Sequence, residues 1–114
     1  MQQPAMDADA FAEMKALMGD SFNDVITLTL KTLPEQLEQL QLAISNKDAE
    51  NIFNTAHRIK SSTSTIGALG VANNAEAIEL IARGGSSDIS SELFDALSAS
   101  ITDVIAILEA ELTS

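Results

Sequence analysis

The chain has 114 residues, and its 17 acidic and 6 basic side chains give it a formal net charge of −11 at pH 7. This charge argues against general binding to nucleic acid or to an anionic membrane, because both need a basic surface. Apolar residues make up 46% of the chain, too many for a disordered acidic tail. Because cysteine is absent, disulfides, thiolate zinc sites and iron–sulfur clusters are excluded. We expect a single compact domain over residues 1–114.

The first residues carry no targeting signal. The stretch from Met1 to Pro4 lacks the basic start and the apolar run of a signal peptide. No apolar run approaches the ~18 residues that a membrane span needs. The sequence therefore predicts a cytoplasmic protein that does not bind membranes.

Five segments show helical periodicity, and none shows the sustained alternation of a strand. The first segment is short and is closed by Gly19, with an apolar stripe made of Phe11, Met14, Leu17 and Met18. The second runs from about Asp20 to Ser45. Pro34 inside it predicts a kink and not a break, because the apolar stripe continues in phase on both sides. The members of that stripe are Ile26, Leu30, Leu33, Leu37, Leu40 and Ile44.

The third and fourth helices are expected to meet at a tight corner. The third runs from about Asp48, as N-cap, to Ile66, and the fourth from about Val71 to Arg83. Gly67 is the expected C-cap of the third helix. The positions expected in the core are Ala49, Ile52, Ala56, Ile59, Thr63 and Ile66, followed by Val71, Ala75, Ile78 and Ala82.

The fifth helix follows a Gly-Ser loop and is capped by Asp88 or Ser90. Its expected core positions are Leu93, Leu97, Ile101, Val104 and Leu108. Short connections between long helices favour antiparallel neighbours. The sequence therefore predicts an all-α fold, an antiparallel up-and-down four-helix bundle with a short additional N-terminal helix.

The chemically distinctive surface surrounds His57, the only histidine. On a wheel at about 100° per residue, His57 lies roughly 130° from the core direction of the third helix, on the solvent side. Lys60, Ser61 and Ser64 follow it by three, four and seven residues and share its face, so we expect Lys60 to be exposed. A neutral imidazole is a competent nucleophile toward phosphorus, and an ammonium stabilises the negative charge of a phosphoryl group. Arg58 points further round the helix, which favours a contact with a partner over one with a phosphoryl group.

From these residues alone, other interpretations stay open. His57 is then an incidental solvated residue of a non-catalytic acidic bundle that binds a partner. It is less readily the general base of a hydrolase, because no carboxylate lies on the same helix turn and there is no cysteine nucleophile. A sensor kinase's dimerisation domain is normally followed by an ATP-binding domain, which the chain lacks. A metal site at His57 is not expected, because Ser61 occupies the i+4 position, where a second ligand would stand.

The segment from Ala56 to Ala68 resembles the signature of histidine-containing phosphotransfer (HPt) domains of bacterial two-component phosphorelays. Ile78 and Glu79 stand where that family has a Leu-Glu pair, and the order of helices is similar over the whole chain. The resemblance implies that His57 accepts a phosphoryl group from a receiver-domain aspartate. It then passes the group to another response-regulator receiver.

The resemblance also implies roles for neighbouring residues. Lys60 helps to hold the phosphoryl group, while Arg58, Ser61 and Ser64 contact the partner. Ser61 departs from the glycine usual in the family, which bears on transfer rate and partner choice. For Glu79 a purely structural role and a contact with the His57 face are both open.

As partners, the resemblance implies response-regulator receivers and a hybrid sensor histidine kinase. The chain is then a phosphoryl carrier and co-substrate without kinase activity of its own. It binds no cofactor or metal, and Mg²⁺ is expected on the receiver. We expect a monomer, because the apolar stripes of all the helices are buried within one bundle.

Overall fold

The computed structural model describes residues 4–113, and within that range it contains helices and no β-strand. This confirms the predicted all-α fold. No helix in the described range is long and apolar enough to cross a membrane. The helices are α1 (Ala8–Met18), α2 (Phe22–Ser45), α3 (Ala49–Thr65), α4 (Leu69–Arg83) and α5 (Ser91–Thr113), with one 3₁₀ turn, Gly19–Ser21, between α1 and α2.

Helices α2 to α5 form the predicted four-helix bundle. α3 packs against α2 and α4, while α5 packs against α4 and α2, so the four helices close into a ring. The short connections at residues 46–48 and 66–68 reverse the chain direction. Pro34 lies inside an unbroken α2. The largest fully buried apolar side chains are Phe22, Ile26, Leu33, Leu40, Ile52, Ile59, Ile66, Ile78, Leu97, Ile101 and Leu108.

Side-chain caps set the starts of three helices. Asp48 Oδ1 accepts a hydrogen bond from the Asn51 amide at 3.2 Å, as predicted for α3. Ser90 Oγ accepts from the Leu93 amide at 3.1 Å, so Ser90 and not Asp88 caps α5. At α1, Asp7 fills the same role for the first turn.

The predicted buried stripe of α1 is wrong at one position. Leu17 is 81% exposed, whereas Phe11, Met14 and Met18 pack against the core. The Phe11 ring lies 5.2 Å from that of Phe22, and this contact orients the helix. Leu17 lies about 90° round the helix from the mean direction of the other three side chains, so it faces solvent.

The segment before α1 packs on the corner between α3 and α4, next to the end of the histidine-bearing helix. The Asp7 amide donates to the Gly67 carbonyl at 2.9 Å, and the Gly70 amide donates to the Ala5 carbonyl at 3.1 Å. These bonds fix the corner from outside the four-helix ring, and the corner in turn sets how α3 and α4 face each other.

Gly67 is required at that corner for two reasons. Its φ of +84° lies in the left-handed region, which side chains with a Cβ rarely adopt. A Cβ at this position would also lie 2.7 Å from the Phe11 amide nitrogen. The C-cap of α3 is Ile66, one residue before the expected cap, and Gly67 is the residue that follows the cap.

Replacement of Gly67 by alanine is expected to lower the free energy of unfolding by about 3 kcal/mol, because strained backbone and overpacking add. Gly85→Ala is the matched control, since Gly85 has a φ of +91° and open space around the missing Cβ. The control should lose only about 1 kcal/mol. Urea unfolding of the two variants measures the difference, and equal losses would contradict the close packing of α1 on the corner.

Candidate functional site

One buried carboxylate joins α3 to α4 beneath His57. Glu79 of α4 is 1% exposed. Its Oε2 lies 2.9 Å from His57 Nδ1, and its Oε1 lies 2.8 Å from Lys60 Nζ. The contact with Lys60 is an ion pair. The α3–α4 packing therefore places an acid, an imidazole and an ammonium together.

The contact with Glu79 determines which nitrogen of His57 is free. An ionised carboxylate only accepts hydrogen bonds, so Nδ1 carries the proton and donates it to Oε2. In the neutral ring, Nε2 then holds the lone pair. The side chain of His57 is 56% exposed. The site thus presents a nucleophilic nitrogen to solvent on a ring held from behind.

Glu79 stays ionised although it is buried. Burial raises the pKa of its carboxyl, but the contacts with Lys60 and then with His57 lower that pKa by more. The net effect is a pKa below the ordinary value of 4.5. The carboxylate therefore keeps its charge at neutral pH and acts as a fixed negative group behind the ring.

The prediction that Lys60 is exposed is wrong. Its side chain is only 29% exposed, because the ammonium turns toward α4 to pair with Glu79. Sequence spacing placed Lys60 correctly on the His57 face, but it could not indicate that a buried acid on the next helix draws the side chain in.

Two further side chains border the histidine. The Phe53 ring lies nearly parallel to the imidazole, with ring centroids 6.1 Å apart and an interplanar angle of 15°. Arg83 of α4 places its guanidinium 5.9 Å from the Phe53 centroid, and its Nη2 lies 4.0 Å from Glu79 Oε2. These contacts bring a second cation close to the site.

The hydroxyl groups of α3 that follow His57 fall into two sets. Ser62, Thr63 and Thr65 donate to backbone carbonyls one turn back. Ser61 and Ser64 are exposed, and the structure of residues 4–113 shows no such bond for them. Their hydroxyls are therefore available to an incoming group, as their predicted role in partner binding requires.

Arg58 lies apart from this network. It is exposed and borders a shallow groove between α2 and α3, next to Thr55 and Leu42. Across the described part of the chain its guanidinium makes no ion pair. This position fits a contact with a partner and not with a group held on His57.

Sequence reasoning left open whether Glu79 contacts the His57 face, and it missed Arg83. Glu79 lies four residues after Ala75 and three before Ala82, so it falls within the buried stripe of α4. A carboxylate at a core position needs a partner, and that signal was available. Arg83 follows Glu79 by four residues, the spacing of a helical ion pair. As expected, no carboxylate of α3 orients His57, but α4 supplies one.

The site holds a single carboxylate beside one histidine. Within residues 4–113 there is no group of three or more His, Cys, Asp or Glu side chains that could hold a metal ion. The arrangement is suited to nucleophilic attack by nitrogen on an electrophile that a partner brings.

The sequence profile described as "Hpt domain" matches residues 24–107. The chain belongs to the Hpt domain family. This membership confirms the resemblance found in the sequence and supports a phosphotransfer role in phosphorelays. The matched range contains all four helices of the ring in whole or in part, and with them His57, Lys60 and Glu79.

Solved structures share the fold of this Hpt domain. Histidine-containing phosphotransfer protein B (HptB) from Pseudomonas aeruginosa PAO1 is 24% identical over 96% of both chains, with a TM-score of 0.87. The HPT domain of the Hpt sensor hybrid histidine kinase from Shewanella is 15% identical, with a TM-score of 0.80, over 96% of this chain and 94% of that one. No curated protein sequence matches the chain significantly.

Proposed function

We propose that the protein is a phosphorelay intermediate in which Nε2 of His57 carries the phosphoryl group. It accepts the group from the aspartyl phosphate of one receiver domain and passes it to the aspartate of another. The single observation that carries this proposal is the 2.9 Å contact between His57 Nδ1 and Glu79 Oε2 on a ring that is 56% exposed. It leaves the nucleophilic nitrogen facing outward and a negative charge behind it.

In the proposed step the Nε2 lone pair attacks phosphorus, and the P–N bond forms as the P–O bond of the acyl phosphate breaks. The aspartate leaves as a carboxylate, and the Nδ1 proton stays in its hydrogen bond with Glu79. Positive charge develops on the imidazole as the bond forms, and the buried carboxylate stabilises it. The reverse sequence at a second receiver returns His57 to its starting state.

The chain's other contributions are positioning and charge, which dominate phosphoryl transfer in general. Lys60 stabilises the phosphoryl oxygens, and Ser61 and Ser64 offer hydroxyls to the phosphoryl group or to the receiver. Arg58 contacts the receiver from the adjacent face. Mg²⁺ and the remaining catalytic groups belong to the receiver, so this chain is a carrier and not an autonomous kinase.

The partners in this proposal are response-regulator receivers and a hybrid sensor histidine kinase. Two of the chain's six basic residues, Lys60 and Arg83, lie beside His57, and Arg58 lies on the adjacent face of this strongly acidic domain. This local charge favours a partner whose docking surface is acidic. We take the acting species to be a monomer, since the buried stripes of the helices face a common core.

The test is incubation of the full chain with a panel of phosphorylated receivers, followed by intact mass measurement. The expected result is a gain of one phosphoryl group that is lost in acid and retained in alkali, as a P–N bond requires. A phosphoserine or phosphothreonine has the opposite lability and is the internal control. Binding of active receivers without any transfer would overturn the proposal in favour of a non-catalytic binding module.

A further inference from the structure

Three basic side chains surround Glu79, and its two oxygens are in close contact with only two of them. Lys60 pairs with Oε1 at 2.8 Å, His57 with Oε2 at 2.9 Å, and Arg83 Nη2 stands 4.0 Å from Oε2. Oε1 is buried, and among the described residues Lys60 is its only close cation. Arg83 is 62% exposed, and its guanidinium rests over the Phe53 ring, short of a direct hydrogen bond to the carboxylate.

A phosphoryl group on His57 creates a competition for Lys60. Such a group brings between one and two negative charges to the face where Lys60 is the neighbouring ammonium. If Lys60 turned toward the phosphoryl oxygens, Oε1 of Glu79 would be a buried carboxylate oxygen without a cation of its own, because the positively charged imidazole contacts Oε2. Loss of the Oε1 contact is unfavourable. A second cation at Glu79 therefore favours the release of Lys60.

We propose that Arg83 is a reserve counter-ion of Glu79, which closes the 4.0 Å gap when His57 is phosphorylated and so releases Lys60 to the phosphoryl group. The inference rests on the proposed phosphotransfer function and adds a positioning residue to it. Arg83 acts through Glu79 and Lys60, and it does not contact the reacting atoms.

The geometry favours this exchange. Glu79 precedes Arg83 by four residues on α4, the favourable order for a helical ion pair. A guanidinium can bridge both oxygens of a carboxylate, so one Arg83 side chain can replace Lys60. Because Arg83 is largely exposed, its movement needs no repacking of the core. The Phe53 ring holds the guanidinium nearby through a cation–π contact.

The test reads the charge around the phosphoryl group directly. The full chain is phosphorylated with phosphoramidate, from which Nε2 takes the phosphoryl group as the P–N bond of the donor breaks and ammonia leaves. The pKa of the bound phosphoryl group is then followed by ³¹P NMR in wild type, Lys60→Ala, Arg83→Ala and the double variant. A cation at the phosphoryl oxygens lowers this pKa by about one unit.

In the protein that keeps Lys60, we expect Arg83→Ala to raise the pKa of the phosphoryl group to nearly the value that Lys60→Ala gives. In the Lys60→Ala background the same change should have little further effect. Arg83→Lys keeps the charge but cannot bridge both carboxylate oxygens, so it should restore only part of the wild-type value. Lys31→Ala, which removes an exposed cation from α2, is the control for loss of one positive charge and should not shift the titration.

Three results would overturn the inference. An equal rise in both backgrounds would mean that Arg83 contacts the phosphoryl group itself, and no rise in either would mean that it has no role in holding Lys60. Failure of phosphoramidate to load His57 would remove its premise, an accessible Nε2. This test can be distinguished from the test of the proposed function. The proposed function is tested with phosphorylated receivers, whereas here phosphoramidate is the donor and no receiver is present.

Discussion

Replacement of His57 by glutamine is expected to abolish phosphoryl uptake while the bundle stays folded. A carboxamide nitrogen is not a nucleophile, and the chain has no second histidine. The glutamine side chain can still donate a hydrogen bond to Glu79, and the position is 56% exposed. We therefore expect the free energy of unfolding to change by less than about 1 kcal/mol. Intact mass after incubation with phosphorylated receivers and urea unfolding measure the two quantities.

Docking of the receiver provides the control for this variant. A carrier that has lost only its acceptor nitrogen should bind an unphosphorylated receiver with nearly wild-type affinity in calorimetric titration. Phosphoryl uptake that persists in His57→Gln would contradict the assignment, and Ser61 or Ser64 would then be the acceptor to examine.

Replacement of Glu79 by glutamine is expected to slow phosphoryl transfer by about 10- to 100-fold, the equivalent of one hydrogen bond to a charged group. The amide keeps the shape of the side chain but removes the negative charge that faces the ring. The same change should lower the free energy of unfolding at pH 7 by about 1–3 kcal/mol. This figure is modest for a buried ion pair because Lys60 and His57 can both reach water.

The stability effect of Glu79→Gln should depend on pH in a defined direction. The pKa of Glu79 is lowered in the folded protein from its ordinary value of 4.5, burial being outweighed by the contacts with Lys60 and His57. The stability that its ionised form contributes is therefore fully present above about pH 4.5 and is lost as pH falls through the folded-state pKa. The difference between wild type and variant should shrink in that range.

Urea unfolding between pH 3 and 7 measures this dependence. Glu76→Gln is the matched control, because Glu76 is an exposed acid on the same helix, one turn before Glu79. Its difference from wild type should stay near zero throughout. A Glu79→Gln difference that is constant with pH would contradict the ion pair as the source of the stability.

Local sequence features predicted most of the helical framework. The third helix was expected from Asp48 to Ile66, and α3 runs from Ala49 to Thr65 with Asp48 as its cap. Apolar spacing and capping residues act within one or two turns, so they can be recognised without knowledge of the neighbouring helices. The exposure of His57 was predicted in the same way, from its angle to the buried stripe.

The contacts beneath His57 could not be predicted with the same certainty. The His57–Glu79 hydrogen bond joins residues 22 positions apart on two helices. Whether they meet depends on the axial offset of α3 against α4, which the Gly67 corner and the segment packed on it set together. A helical wheel describes directions around one axis and contains no such offset. For the same reason the wheel could not show that Lys60 is drawn in toward α4.

Composition, periodicity and caps are local properties, so they were sufficient to predict an acidic helical bundle with one histidine on an exposed helix face. The family signature determined the chemistry to be expected at His57. The packing of α4 against α3 was needed to establish which nitrogen of that histidine is free, why Lys60 is half-buried and how Arg83 reaches the site. All three depend on the buried carboxylate of Glu79 on the neighbouring helix. Its charge affects His57, Lys60 and Arg83 because the packing of the helices sets short distances between them.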